Sequence, residues 1–374
     1  MSFARTRSNL KKVYRGLLGQ SSFVKYLVKR SIVLFLVLII VILSMILIAG
    51  GFGIMDRIQR LQIQRDVLDL IRSNPNSGRW TPEEREAFTA NMTALLEKAR
   101  GLDKPFYTRM FGYLYQVLTW DFGQAQVLAS SSGSSNIRDM ILERMPRTVL
   151  LFTTATLISA LVGTAVALVI ARKPLSIADR GISAFAVVTN SIPWWYFGML
   201  MIIMFAFYGK LLPSGGYVSV PAPTIPVAFA FDVLYHMILP IATIVLVSFG
   251  GWAYVVRSLL LDVFQQDFVL FARAKGLKER VVMYRHALRA ASPPIATMLM
   301  FSLVGSLGGA IITETVFDWQ GMGRLFYDAI LQQDLPVIVA LTFVSAFLTI
   351  IVVLLLDIIY AILDPRVRTA PVAM

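Results

Sequence analysis

The chain has 374 residues, 57% of them hydrophobic and 15% charged, with a mean hydropathy of +0.69; that balance excludes an ordinary soluble globular protein and leaves room for several membrane spans. The formal net charge of +13 lies beside apolar stretches rather than on a separate basic domain, so topology and lipid headgroups account for it better than nucleic acid does. With no cysteine, disulfides, thiolate metal ligands and cysteine nucleophiles are excluded.

Residues 1–30 carry Arg5, Arg7, Lys11, Lys12, Arg15, Lys25, Lys29 and Arg30 and no acidic residue. They precede the first of six stretches that reach the roughly 20 apolar residues a helix needs to cross hydrocarbon: 31–50, 148–170, 182–208, 237–256, 294–312 and 337–359. The first is about twice as long as a secretory h-region and reads as a retained signal anchor. Arg172, Lys173 and Arg180 between the second and third stretches, the basic segment 261–290, and Arg366 with Arg368 gather on the side of the N-terminal cations. The positive-inside rule makes that side the cytosol and both termini cytosolic, in a multi-pass protein of the cell membrane. The predicted organisation is a basic segment 1–30, a first transmembrane helix 31–50, an extracytoplasmic helical region 51–145, a core 146–363 with helices two to six, and a cytosolic tail 364–374.

Within 51–145, Ile54, Ile58, Leu61, Val67, Leu68 and Ile71 recur at helical spacing, and Asn74-Pro75-Asn76-Ser77-Gly78 breaks the pattern. Thr81-Pro82-Glu83-Glu84 supplies a capping box with proline at the first helical position, and Gly101 suits the other end. Two short helices are expected there. Phe106, Tyr107, Phe111, Tyr113, Tyr115, Trp120 and Phe122 then crowd one segment, which is either a packed cap or a set of amphipathic rings at headgroup level. Ser130–Ser135 reads as a flexible linker before a helix over 137–144.

The segment 261–290 lies between two apolar stretches, yet Lys275, Lys278, Arg280, Arg285 and Arg289 are costly in lipid. Asp267 is placed to cap a helix over 268–275, and Gly276 to end it in the left-handed conformation. Ala272, Ala274 and Gly276 leave little bulk around Phe268 and Phe271, which suits a partner's groove closing on the backbone while the rings fill a pocket; an interfacial helix that snorkels its cations is the alternative. A second basic helix is expected from Lys278, with Pro293 and Pro294 marking a kink or the start of the fifth span.

FARAKGL (271–277) and RHALR (285–289) in this segment resemble the coupling segment of dipeptide and oligopeptide ABC transporter permeases, the first of that family's two membrane subunits. KYLVKR (25–30), GLDKP (101–105), DFG (121–123), LLPSGGY (211–217), HMILP (236–240), ETVF (314–317), GMGRL (321–325) and DPRVR (364–368) agree with the same family in order and spacing. The likeness departs in places: Leu270 and Arg289 stand where the general importer motif has glutamate and proline, and the family's Gly-Asp-Pro after span one is absent. The resemblance implies an all-α integral membrane protein with the six-helix type I ABC importer permease fold and a helical extracytoplasmic insertion between helices one and two. It implies four kinds of partner: a second homologous permease, two cytosolic ATP-binding subunits, an extracytoplasmic substrate-binding protein and membrane lipids. ATP and Mg would be bound by the ATPases, with no cofactor in this chain, which has no GxxxxGK[ST] sequence of its own. The coupling residues it implies are Phe268, Phe271, Ala272, Ala274 and Gly276. Peptides are the implied cargo, with oligosaccharides or nickel as alternatives within the same importer type.

Polar groups within the spans mark candidate pathway positions: Asn190 and Ser191 in span three, Ser302 and Ser306 in span five, and Glu314 at that span's outer end. Close helix packing is the other use of the small residues, and a scaffold interaction that of Glu314. A secondary transporter or channel is the rival class, but no proton-relay cluster or internal repeat is evident. The two histidines, His236 and His286, fall on opposite sides and no HExxH occurs, so no enzyme activity is expected.

Overall fold

A computed structural model describes residues 21–51, 53–75, 77–99, 101–307 and 311–363, and every named element among them is helical. Most of the basic segment 1–30, all of DPRVR (364–368), and the side chains of Ser306 and Asp357 lie outside the described residues. The chain divides into two compact units, one built on Pro146–Arg324 and the other on Val33–Met145 with Leu325–Leu348.

The second unit contains the greater part of α1 (Ser21–Gly51), then α2 (Ile54–Ser73), α3 (Pro82–Ala99) and α4 (Phe106–Leu118). Ile63, Val67 and Ile71 of α2 are buried against Trp80, Phe88, Met92, Leu96 and Leu102, which pairs α2 with α3. The expected capping box forms, with Thr81 N–H donating to Glu84 Oε2 at 2.8 Å and Glu84 N–H to Thr81 Oγ1 at 3.2 Å. Arg109 of α4 grips Asp56 with two hydrogen bonds of 2.7 and 3.0 Å and donates a third to Tyr113 Oη at 2.9 Å. The bond to Asp56 raises the guanidinium's pKa further, and burial pushes the Tyr113 phenol up, so both stay protonated.

The serine run is ordered, which corrects the flexible-linker expectation. Ser130 N–H donates to Ser134 O at 2.9 Å, Ala125 N–H to Ser135 O at 2.8 Å, and Ser131 N–H to Glu143 at 2.9 Å. Hydroxyl and backbone groups satisfy one another here, so polar composition does not leave the segment loose. Asp334, fully buried, accepts the backbone N–H groups of Gln126, Val127 and Leu128 at 2.8, 2.9 and 3.1 Å.

The first unit contains most of α5 (Ile137–Ile170), α6 (Ile177–Asn190), α7 (Trp194–Met201, continued by a wide π turn Ile202–Tyr208) and α8 (Pro226–Phe264). It also contains α9 (Asp267–Ala274), α10 (Leu288–Leu307) and α11 (Ile311–Val316), while α12 (Met322–Leu331) and α13 (Leu335–Leu363) are divided between the two units. The expected helix 137–144 is not separate but the first part of α5, which runs on through Pro146.

Span three is not one rod. α6 and the helix Trp194–Tyr208 meet at 100°, because Pro193 cannot donate to a continuing ladder and disfavours helical geometry in the residue before it. α8 packs closely on two neighbours: a Cβ on Gly250 would lie 2.9 Å from the Phe185 ring, and one on Gly163 would lie 2.7 Å from Trp252. The Trp252 indole donates to Thr164 Oγ1 at 3.0 Å across the second contact. Small residues letting backbones meet is the expected membrane packing mode, although sequence reading looked for it in span five, where a Cβ on Gly305 would meet open space.

Among the described residues, four helices are long and apolar enough to cross a membrane, or five if the bent pair is one span. The fifth predicted stretch, 294–312, falls on α10 and α11 and includes 308–310, which lie outside the described residues. Its start is also revised. α10 passes through Pro293 and Pro294 without ending, and Ser292 Oγ donates to the Arg289 carbonyl at 2.9 Å, occupying the acceptor that Pro293 cannot reach.

Candidate functional site

The basic segment folds into a short helix held from below. In α9, Val269 and Ala272 are buried in a core with Leu260, Val263, Val282, Met283 and Ala287, while Phe268, Leu270 and Phe271 are exposed. The Ala272 methyl is covered by the chain itself. Asp267 is the first helical residue, with Gln266 at the cap and no side-chain capping bond.

The helix ends in a Schellman turn. Gly276 sits at φ 75°, Gly276 N–H donates to Arg273 O at 2.9 Å and Leu277 N–H to Ala272 O at 3.4 Å, the two reverse bonds that close a helix through a left-handed residue. Lys275 Nζ lies 4.6 Å from the centre of the Phe271 ring, and Arg273 pairs with Glu279 at 2.6 Å. The second basic helix is real in outline but not regular: one turn Glu279–Val281 widens into a π turn over Val282–Ala287 before α10 begins.

A groove of about 510 Å³ runs beside α9, lined by Phe268, Leu277, Val281, Arg285, His286, Arg289 and Ala290. Apolar walls with two guanidinium groups suit an acidic, partly apolar partner surface. The RHALR stretch was evident in the sequence, but not its convergence on Phe268, which the wide turn Val282–Ala287 brings about.

The candidate pathway residues separate into three environments. Asn190 and Ser302 line one concavity of about 590 Å³ with Ala186, Gly251, Trp252, Tyr254 and Phe301. Ser191, one residue from Asn190, instead donates to its own helix at Val187 O, 3.0 Å away. Glu314 is wholly buried: its Oε1 accepts the Thr148 hydroxyl at 2.8 Å and its Oε2 the Arg324 N–H at 3.0 Å, and Thr148 Oγ1 in turn accepts Met322 N–H at 2.7 Å. It ties α5, α11 and the start of α12 together. Trp252, Tyr254 and Phe301 entered the cavity without a sequence signal that distinguishes them from ordinary packing aromatics.

A further buried ion pair was not foreseen. Arg257 of α8 donates twice to the Asp179 carboxylate, Nη2 to Oδ2 at 2.6 Å. Asp179 Oδ2 also accepts Leu175 N–H at 2.8 Å, and Ser176 caps α6. The turn before α6 is thereby fixed to the helix that leads into α9.

Residues 163–369 match the family of binding-protein-dependent transport system inner membrane components. Over 269 residues the chain is 33% identical to the oligopeptide transport system permease protein AppB of Bacillus subtilis, covering 72% of this chain and 82% of that protein. Over 291 residues it is 31% identical to the dipeptide transport system permease protein DppB of Lactococcus lactis subsp. cremoris, covering 77% and 89%. It is 29% identical over 299 residues to the oligopeptide transport system permease protein OppB of Haemophilus influenzae, covering 80% and 92%.

Proposed function

Since the chain belongs to the family of binding-protein-dependent transport system inner membrane components, we propose that it is the membrane-spanning permease subunit of an ATP-driven importer. Together with a second, similar permease it forms the translocation path, and peptides are the cargo class that its relatives' names favour. Two cytosolic ATPases hydrolyse ATP, and an extracytoplasmic protein delivers the substrate. Six apolar stretches in the sequence support six crossings, and the charge distribution supports cytosolic termini, with 51–145 outside.

The observation that carries this reading is the two-sided construction of α9. Val269 and Ala272 fix it to the bundle, while Phe268, Leu270 and Phe271 stay exposed above it. Exposed apolar rings in a basic, water-facing segment are costly unless a partner covers them, and a rigid base lets force on the rings reach α8 and α10. Closure of the ATPase pair would then rock the bundle about the concavity of Asn190 and Ser302, an alternating-access step. The test is reconstitution of the chain with its second permease, ATPases and binding protein: ATP-dependent uptake of a labelled peptide is expected, and uptake that runs without the ATPases would contradict the reading.

A further inference from the structure

Helix α4 has two unlike faces. Arg109 and Tyr113 turn inward, with Arg109 on Asp56 and Tyr113 buried. On the other side Tyr107, Phe111 and Tyr115, each four residues from the last, are 72%, 66% and 70% exposed. Leu118, also exposed, continues that face, which carries no charged side chain. α3, in the same unit, exposes Glu83, Glu84, Arg85 and Glu86. Water accounts for the surface of α3 but not for that of α4, where three large rings are presented outward at helical spacing.

The N-terminal end of α4 is tied to a segment adjoining one apolar span, and Trp120, just past its C-terminal end, packs on another span. Asp56, the anchor of Arg109, lies five residues after Gly51, the last residue of α1. Beyond the C-terminal end, Trp120 packs its ring 5.5 Å from Phe347, a residue within α13. Trp120 takes a left-handed backbone, φ 59°, that a bulky residue rarely adopts unless surrounding structure holds it there. α1 itself exposes Ile40, Leu47 and Ile48, so α4 stands beside a helix end whose outer surface is apolar.

We propose that the Tyr107–Phe111–Tyr115 face of α4 lies on the lipid bilayer, with its rings at the headgroup level of the leaflet adjoining Gly51. Tyrosine suits that boundary because its ring is apolar and its hydroxyl is wet, and Phe111 between the two tyrosines supplies the deeper contact. The single cation of the helix is spent on Asp56, so the contact is apolar rather than electrostatic and does not depend on anionic lipid.

The absence of cysteine makes single-site spin labelling of this chain clean. The full chain carrying Tyr107→Cys, Phe111→Cys or Tyr115→Cys is labelled and placed in vesicles of phosphatidylethanolamine and phosphatidylglycerol, with Glu86→Cys as the water reference and Ile40→Cys as the hydrocarbon reference. Collision with oxygen relative to a water-soluble nickel chelate is expected to exceed the Glu86 value several-fold at all three sites, and to be unchanged in phosphatidylcholine vesicles. Values equal to those at Glu86 overturn the proposal in favour of a water-facing helix, and low collision with both reagents overturns it in favour of a protein partner. Phe111→Glu, at an exposed position that folding tolerates, is expected to lower the oxygen ratio at Tyr115→Cys; no change there also counts against the proposal.

Discussion

Arg273 and Glu279 are joined by an ion pair at 2.6 Å that bridges the turn at Gly276. Both side chains are about half exposed, 40% and 52%, so water screens the pair and its removal costs below about 1 kcal/mol. The backbone of Gly276 carries more: forcing an ordinary residue into its left-handed conformation costs about 1–2 kcal/mol.

Gly276→Ala is therefore expected to weaken ATP-driven uptake more than Arg273→Ala or Glu279→Ala does. Gly276→Pro, which cannot adopt φ 75° and loses the N–H bonded to Arg273 O, is expected to abolish uptake while membrane assembly persists. Uptake assays in proteoliposomes, paired with membrane quantification, check both.

Asn190 and Ser302 share a concavity that Ser191 does not line. Single cysteines at Asn190 and Ser302 are expected to react with a water-soluble thiol reagent in the assembled transporter. Asn190→Leu is expected to lower uptake about tenfold, the worth of one hydrogen bond to cargo, and Ser191→Ala to leave it near normal.

Glu314 acts on stability. Glu314→Ala strands the Thr148 hydroxyl and the Arg324 N–H, and a buried donor without a partner costs about 1–3 kcal/mol; a clear fall in melting temperature is expected, with Glu314→Gln milder. Gly321→Ala is expected to be as damaging, because its Cβ would lie 2.3 Å from Thr148 Oγ1 and 2.5 Å from Glu314 Oε2.

Asp334 holds the chain at Gln126, Val127 and Leu128. Asp334→Ala is expected to speed hydrogen exchange of those three amides by about a hundredfold, corresponding to about 3 kcal/mol of lost protection, while amides within α3 change little. Mass spectrometry of the exchanged peptides reads both.

Features that depend on near neighbours in the chain were legible in the sequence. The capping box at Thr81 and the left-handed Gly276 follow from a few adjacent residues, and the apolar stretches follow from hydropathy summed over twenty. What escaped depends on partners far along the chain. Asp334 binds amides more than 200 positions away, Asp179 finds Arg257, and Glu314 finds Thr148, and no local pattern announces any of them. Ala272 shows the same limit on a small scale: its size was legible, but not the helix phase that turns its methyl toward Leu260 and Met283. The break in span three lay midway, since Pro193 was visible but the 100° turn it permits was not.

The most direct test of the coupling role is site-specific photo-crosslinking in the assembled transporter, with a photoreactive residue at Phe271, 62% exposed, and a control at Ala272, 4% exposed. The account predicts an adduct with an ATP-binding subunit from Phe271 that strengthens when nucleotide is trapped, and none from Ala272. An intact, ATPase-active complex in which Phe271 forms no adduct with that subunit would contradict it.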